Sequence, residues 1–202
     1  MSINPATGAA LGEVPEWTEA EVRAAVQSAR DAGRSWARRP IRDRAAQVMR
    51  FRDAILNCAE EIIDAIVHEG GKTRQEALGT EVLLVVDLAT YFCKRAEKIL
   101  APRPISLHLL KTRTSYLHYV PRGVVGIISP WNFPFSIPMG ETIMALLAGN
   151  AVVLKPSEVT PLIAVADGAR VAVGGQLPDG PGQLYPPTVL TDVRQDVVVP
   201  LL

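Results

Sequence analysis

The sequence predicts an α/β fold in which N-terminal helices precede one βαβ unit of a parallel sheet. Three features carry that expectation: long segments with apolar residues at helical spacing, two short runs that are apolar throughout, and a helical segment between those runs. Strands without polar alternation are those buried on both faces, as in a parallel sheet covered by helices. With 202 residues and 48% hydrophobic content, the chain can bury a real core.

The elements follow in order. Thr18 and Glu21 form a capping box, after which Val22, Ala25, Val26, Ala29 and Trp36 recur at helical spacing, so a first helix is expected from about 19 to 37. "RRPIRDRAAQVMRF" restarts after Pro40 and continues through Ile55, Ala59, Ile62, Ile63 and Ile66 as a second helix, stopped by Gly70-Gly71. A third is expected from about Arg74 to Leu100, with Leu78, Val82, Val85, Ala89, Phe92, Ala96 and Ile99 as its core stripe. "APRP" ends it, because proline disfavours helix in the residue before it. "SYLHYVPRGVVGII" is rich in β-branched and aromatic residues, which places strands at about 114 to 120 and 123 to 128. "PMGETIMALLA" (138 to 148) reads as a helix ending at Gly149-Asn150, and "AVVLKPSE" opens with a second buried strand. The unit this builds brings "SPWNFP" and "KPSE" to the carboxyl ends of neighbouring strands, where such folds bind ligands.

Composition excludes some function classes. Twenty-one basic and 21 acidic side chains cancel, so no long-range field recruits nucleic acid or an anionic membrane. "MSINPATGAALGEV" lacks a basic start followed by an apolar run, and no stretch approaches the roughly 18 apolar residues of a membrane span. A cytoplasmic location is the resulting expectation. Cys58 and Cys93 lack the Cys or His neighbours of a zinc site, and no metal is expected.

Several motifs fail on inspection. "HEGGKT" ends like a phosphate-binding P-loop, but the first glycine of that motif would fall on Ile66, and a helix precedes it instead of a strand. "GVVG" (123 to 126) lies in a strand run, where its glycines read as permitting close packing. His68, His108 and His118 form no spaced pair. "SPWNFPF" (129 to 135) is different, because it places Asn132 among stiff and bulky neighbours. A carboxamide held there could donate to an oxygen that becomes negative in a transition state; asparagine is also common in tight turns. Lys155 and Glu158 could form a surface ion pair of little energetic weight, or together hold a ribose, with the carboxylate accepting from its hydroxyls.

"VPRGVVGIISPWNFPFSIPMGETIMALLAGNAVVLKPSEVTPL" (120 to 162) closely resembles the first half of the cofactor-binding domain of the aldehyde dehydrogenase superfamily. "NPATGAALGEVPEWTEAEVRAAVQSARDAGRSWARRPIRDRAAQV" and "GGKT" resemble that family's N-terminal region. The resemblance implies a partial Rossmann-like sheet. It divides the chain into an N-terminal helical part (1–113), an oligomerisation-type strand (114–122), the first βαβ of the NAD-binding domain (123–163) and a remnant of the catalytic domain (164–202). It implies that Asn132 is an oxyanion-hole asparagine, that Ser129, Pro130 and Trp131 contact the nicotinamide cofactor, and that Lys155, Ser157 and Glu158 contact the adenosine ribose. A glutamate at 158 favours free ribose hydroxyls, hence NAD, with NADP possible.

"ADGARVAVGGQLPDGPGQLYPPTVLTDVRQDVVV" resembles a family segment that lies beyond the nucleophile. The chain is therefore expected to be internally deleted near 163 to 167 and truncated at its end. The family's Glu-Leu-Gly-Gly base motif and Gly-Gln-x-Cys nucleophile motif do not occur in it. In the family a thiolate attacks the aldehyde, hydride passes to NAD and a glutamate activates water on the thioester. Without thiol and base, the expectation is a chain incompetent in aldehyde oxidation by itself. The alternatives are a weak nucleotide-binding fragment or one that forms oligomers with itself or with a full-length relative.

Overall fold

The computed structural model describes residues 1–14 and 16–163. A short antiparallel hairpin, β1 (Ser2–Ile3) and β2 (Ala10–Gly12), opens the chain. α1 spans Glu19–Arg38, and its capping box forms as the sequence predicts: Thr18 Oγ1 accepts from Glu21 N–H, and Glu21 accepts from Thr18 N–H at 2.7 Å. Such a cap is worth about 1 kcal/mol.

The expected second helix is two helices, α2 (Ile41–Asn57) and α3 (Ala59–Gly70). They break at Cys58, whose φ of −104° and ψ of 13° leave the helical region. The apolar spacing continues across the break because Val48, Phe51 and Ile55 on one side and Ile62, Ile63 and Ile66 on the other are buried in the same core. α3 ends where expected, with Gly71 left-handed at φ +69°.

The third helical segment begins with a second capping box, Thr73 with Glu76, on α4 (Arg74–Glu76). A π-helical turn, Ala77–Val82, follows and leads into α5 (Leu83–Ile99). The expected stripe holds from Val82 through Val85, Ala89 and Ala96, all buried, whereas Leu78 and Ile99 at its ends are exposed. The π turn carries one residue more per turn than an α-helix. Within it, Ala77 and Glu81 occupy the inward face in place of Leu78.

β3 (Arg103–Ile105) pairs antiparallel with β4 (Ser115–Leu117), a shorter strand than the expected 114 to 120. β5 (Val124–Ile128) and β6 (Ala151–Lys155) pair in parallel, Val124 opposite Ala151 through Ile128 opposite Lys155. Between them runs α6 (Ser136–Leu147). This is the predicted α/β architecture with its βαβ unit.

Alternation along β6 shows how the sheet is covered. Val152 and Leu154 join the large core of α2, α5 and α6, while Ala151 and Val153 pack with Ala29 and Val26 of α1. β6 is therefore buried on both faces, as predicted. β5 is not: Gly126 and Ile128 are exposed, Ile128 at 79%. α1 lies mainly over β6, and β6 is the only strand paired with β5 among the described residues. Neither glycine of "GVVG" serves close packing among the described residues, where a methyl group at Gly123 or Gly126 would meet nothing within 4 Å. Gly123 instead adopts φ +115° at the turn into β5. Gly149 is the crowded one: at φ +88°, an added Cβ would lie 2.8 Å from Pro121.

Candidate functional site

The carboxyl ends of β5 and β6 meet through one backbone bond, Ser129 N–H to Lys155 O at 3.0 Å. "SPWNFP" and "KPSE" thus become neighbouring lips, as predicted from topology.

On the first lip, the main chain is anchored on both sides of Asn132. Ser129 holds the upstream side. Downstream, the Glu81 carboxylate accepts from Phe135 N–H at 3.2 Å and Ser136 N–H at 2.7 Å, at the start of α6. Glu81 is fully buried and paired with the Lys72 ammonium, which also lies 4.0 Å from the Phe133 ring centroid. A buried carboxylate at a helix N-terminus is favoured by the donors it satisfies and by the helix dipole. Pro134 and Phe135 are buried beneath the loop. Trp131 is 61% exposed and Asn132 is exposed, its carboxamide making no hydrogen bond among the described residues. Asn132 is therefore displayed to solvent rather than closing a turn with its side chain. Ser129 is buried, and its hydroxyl has no partner among the described residues.

The second lip follows β6. Lys155 Nζ donates to Glu158 Oε2 at 3.1 Å and to Pro156 O at 3.2 Å. The Glu158 carboxyl is held below the usual range by its own backbone N–H and by Lys155, so it stands ionised as a hydroxyl acceptor. Ser157 is buried, its Oγ accepting from Val159 N–H. Lys155, Ser157 and Glu158 line a crevice of about 530 Å³, together with Glu16, Trp17, Val22 and Pro161. Beyond it Glu69, also buried, accepts from Leu162 N–H at 2.9 Å, Ile163 N–H at 2.7 Å and the Ser2 hydroxyl at 2.6 Å.

Sequence reasoning missed Glu69, Glu81 and Lys72. The available signal for Glu81 was an acidic residue beside the apolar stripe, and Lys72 belongs to the rejected P-loop look-alike. Lys72 points inward to Glu81, and Thr73 caps α4, so neither is arranged for phosphate. His68, His108 and His118 are exposed. Burial raises the Cys93 thiol to about 11, opposed by Arg52, which is the reverse of an activated nucleophile. Among the described residues there is no His, Cys, Asp and Glu group that could hold a metal, and no helix is long and apolar enough to cross a membrane.

Comparison with known proteins bears on the family and the fold. The model of the "Aldehyde dehydrogenase family" matches residues 1–167. A putative succinate-semialdehyde dehydrogenase [NADP(+)] from Mycolicibacterium smegmatis is 40% identical over 161 residues, 80% of this chain and 31% of that protein. A 4,4'-diapolycopene aldehyde oxidase from Methylomonas sp. is 35% identical over 159 residues, 78% of this chain and 30% of that protein. Among solved structures, an aldehyde dehydrogenase from Brucella melitensis superposes with a TM-score of 0.83 at 25% identity, covering 37% of that chain. A lactaldehyde dehydrogenase does so with a TM-score of 0.82 at 30% identity, covering 38% of that chain. The chain spans about a third of the length of the relatives it matches.

Proposed function

The chain belongs to the aldehyde dehydrogenase family, and from that premise we propose that it carries the cofactor-side half of an NAD(P)-dependent aldehyde-oxidising site. In this reading Lys155, Ser157 and Glu158 hold the adenosine ribose, Ser129, Pro130 and Trp131 border the nicotinamide, and Asn132 is the oxyanion donor. The observation that carries it is the ionised Glu158 paired with Lys155, on the strand end hydrogen-bonded to the loop that displays Asn132. The bound cofactor would supply the hydride acceptor. Ser129's hydroxyl is buried, so its contact falls to the main chain.

The segments 1–113, 114–122 and 123–163 are read as the N-terminal part, the oligomerisation-type strand and the first βαβ of the cofactor domain. The reading of 164–202 as a catalytic-domain remnant lies outside the described residues. Relatives named for NADP(+) leave the choice between NAD and NADP to experiment. No Gly-Gln-x-Cys or Glu-Leu-Gly-Gly motif occurs in the 202 residues, and Cys93 is a poor thiolate, so the chain by itself should not turn over. Binding should be weak, in the millimolar range or about 4 kcal/mol. Titration of 15N-labelled protein with NAD and NADP, read at residues 155–158, tests the site. NAD-dependent oxidation of short aldehydes by the purified chain would overturn its catalytic incompetence.

Assembly has one supporting observation. Ile105, Tyr116, Leu117, Tyr119 and Val120 on and beside the β3–β4 hairpin are all exposed, Val120 at 73%. Size exclusion with and without a full-length relative tests self-association and mixed oligomers.

A further inference from the structure

The parallel ladder of β5 with β6 leaves the other side of β5 open. Its end bonds, Ala151 N–H to Gly123 O and Ser129 N–H to Lys155 O, show that the odd-numbered residues of β5 face β6. The N–H and C=O groups of Val124, Gly126 and Ile128 therefore point the opposite way, where no strand meets them among the described residues. Edge strands that stay alone ordinarily carry a lysine, a proline or a bulge. "VVGII" has none of these.

A groove of about 440 Å³ lies along this edge, and Val26, Arg30, Arg122, Gly126, Ile128 and Val153 are among the residues that line it. It is open over Gly126, where a methyl group would meet nothing within 4 Å among the described residues, so the side chain of an added strand has room there. No acidic residue lines it. Arg30 Nη1 donates to the neutral Gln27 at 3.0 Å, and neither Arg30 nor Arg122 has an ion-pair partner among the described residues. Lys155, which also lines the groove, is already paired with Glu158.

We propose that the free edge of β5 is a docking site for an extended acidic segment of another polypeptide, which adds to the sheet as a strand. Main-chain bonds to Val124, Gly126 and Ile128 hold such a segment, as in β-strand addition generally. A strand projects every second side chain to one face, so carboxylates at alternate positions on the α1 side meet Arg30 and Arg122. Charge argues against a second copy of this chain as the occupant. Antiparallel pairing of two β5 strands keeps like faces together, which brings another Arg30 and Arg122 to the same side with no acid between them. Recognition uses neither Ser157 nor Glu158, so the proposal stands apart from the cofactor reading.

The test follows amide hydrogen exchange of the native chain with an acetylated Glu-Val-Glu-Val-Glu-Val peptide and with its Lys-Val-Lys-Val-Lys-Val counterpart. Without peptide, Val124, Gly126 and Ile128 should exchange freely while Val125 and Ile127, which face β6, are protected. The acidic peptide should slow the three edge amides about tenfold or more, and the basic one should not. Replacing both arginines, Arg30→Gln with Arg122→Gln, should weaken binding of the acidic peptide about threefold or more. No slowing by the acidic peptide, equal slowing by both peptides, or unchanged binding in the folded double variant would each overturn the proposal. If the double variant does not fold, the two peptides on the native chain decide alone. Edge amides already protected without peptide would overturn it as well: protection that rises with protein concentration assigns the edge to a second copy, and protection independent of concentration assigns it to residues beyond 163 of the same chain.

Discussion

Glu81 and Arg44 hold opposite ends of one helix. The carboxylate of Glu81 takes Ser136 N–H at 2.7 Å at the start of α6, and Arg44 Nε donates to Leu147 O at 3.0 Å at its end. Arg44 is itself buried and bonded to Arg39 O, and its burial lowers its affinity for the proton. Each charge complements the helix dipole where it sits, so the crossover is clamped between the π turn and α2.

Removing one member of the buried Lys72–Glu81 pair leaves the other uncompensated, at a cost of about 3 kcal/mol or more. Glu81→Leu should cost more than Lys72→Met, because it also strips the acceptor from two backbone N–H groups. Urea unfolding of the two variants measures the difference. Equal costs would show that the amides do not depend on Glu81.

Glu69→Ala should release the segment after β6 while sparing α1. Amide exchange at Leu162 and Ile163 should accelerate about tenfold or more, with exchange at Ala29 unchanged. Uniform acceleration would mean global destabilisation instead of a local tether.

Asn132→Ala should leave stability within about 0.5 kcal/mol, since the side chain is exposed and makes no hydrogen bond among the described residues. A loss of 1 kcal/mol or more, on the order of a full hydrogen bond, would return Asn132 to the role of turn former.

Cys93 should alkylate slowly at neutral pH and accelerate as pH approaches about 11. The linkage has a definite sign. The folded thiol holds its proton more tightly than the unfolded one, so this contribution to stability is intact below about 9 and is lost as pH rises toward 11. Mass-resolved labelling of the native chain checks the rate. Fast modification of Cys93 at pH 7 would contradict its burial.

The long elements were legible because repetition averages out local noise. Thr18 with Glu21, the stripe from Val82 to Ala96 and the runs "VVGII" and "AVVL" each state one period many times over. The break at Cys58 was hidden for the same reason, as no glycine or proline marks it and the apolar spacing resumes at once. β1, β2 and β3 are two or three residues long, too short for alternation to register. At the candidate site, the residues that face outward could be matched to a family motif. The residues that place them could not, because Glu69, Glu81 and Lys72 act through contacts 9 to 94 positions away in the chain. Charged residues in a helix pattern read as solvent-facing until their partners are known.

The π turn gives the chain a length-sensitive phase. Its extra residue is what lets Ala77 and Glu81 face inward ahead of a stripe that then continues from Val82. Shortening Ala77–Val82 by a single residue would relax it to an ordinary helix and rotate everything before it by about 100°, the angle of one residue in a 3.6-residue turn. Lys72, Glu81 and the start of α6 would then fall out of step without any of them being replaced. The spacing of this turn is thus as much a part of the Asn132 loop as the side chains that touch it.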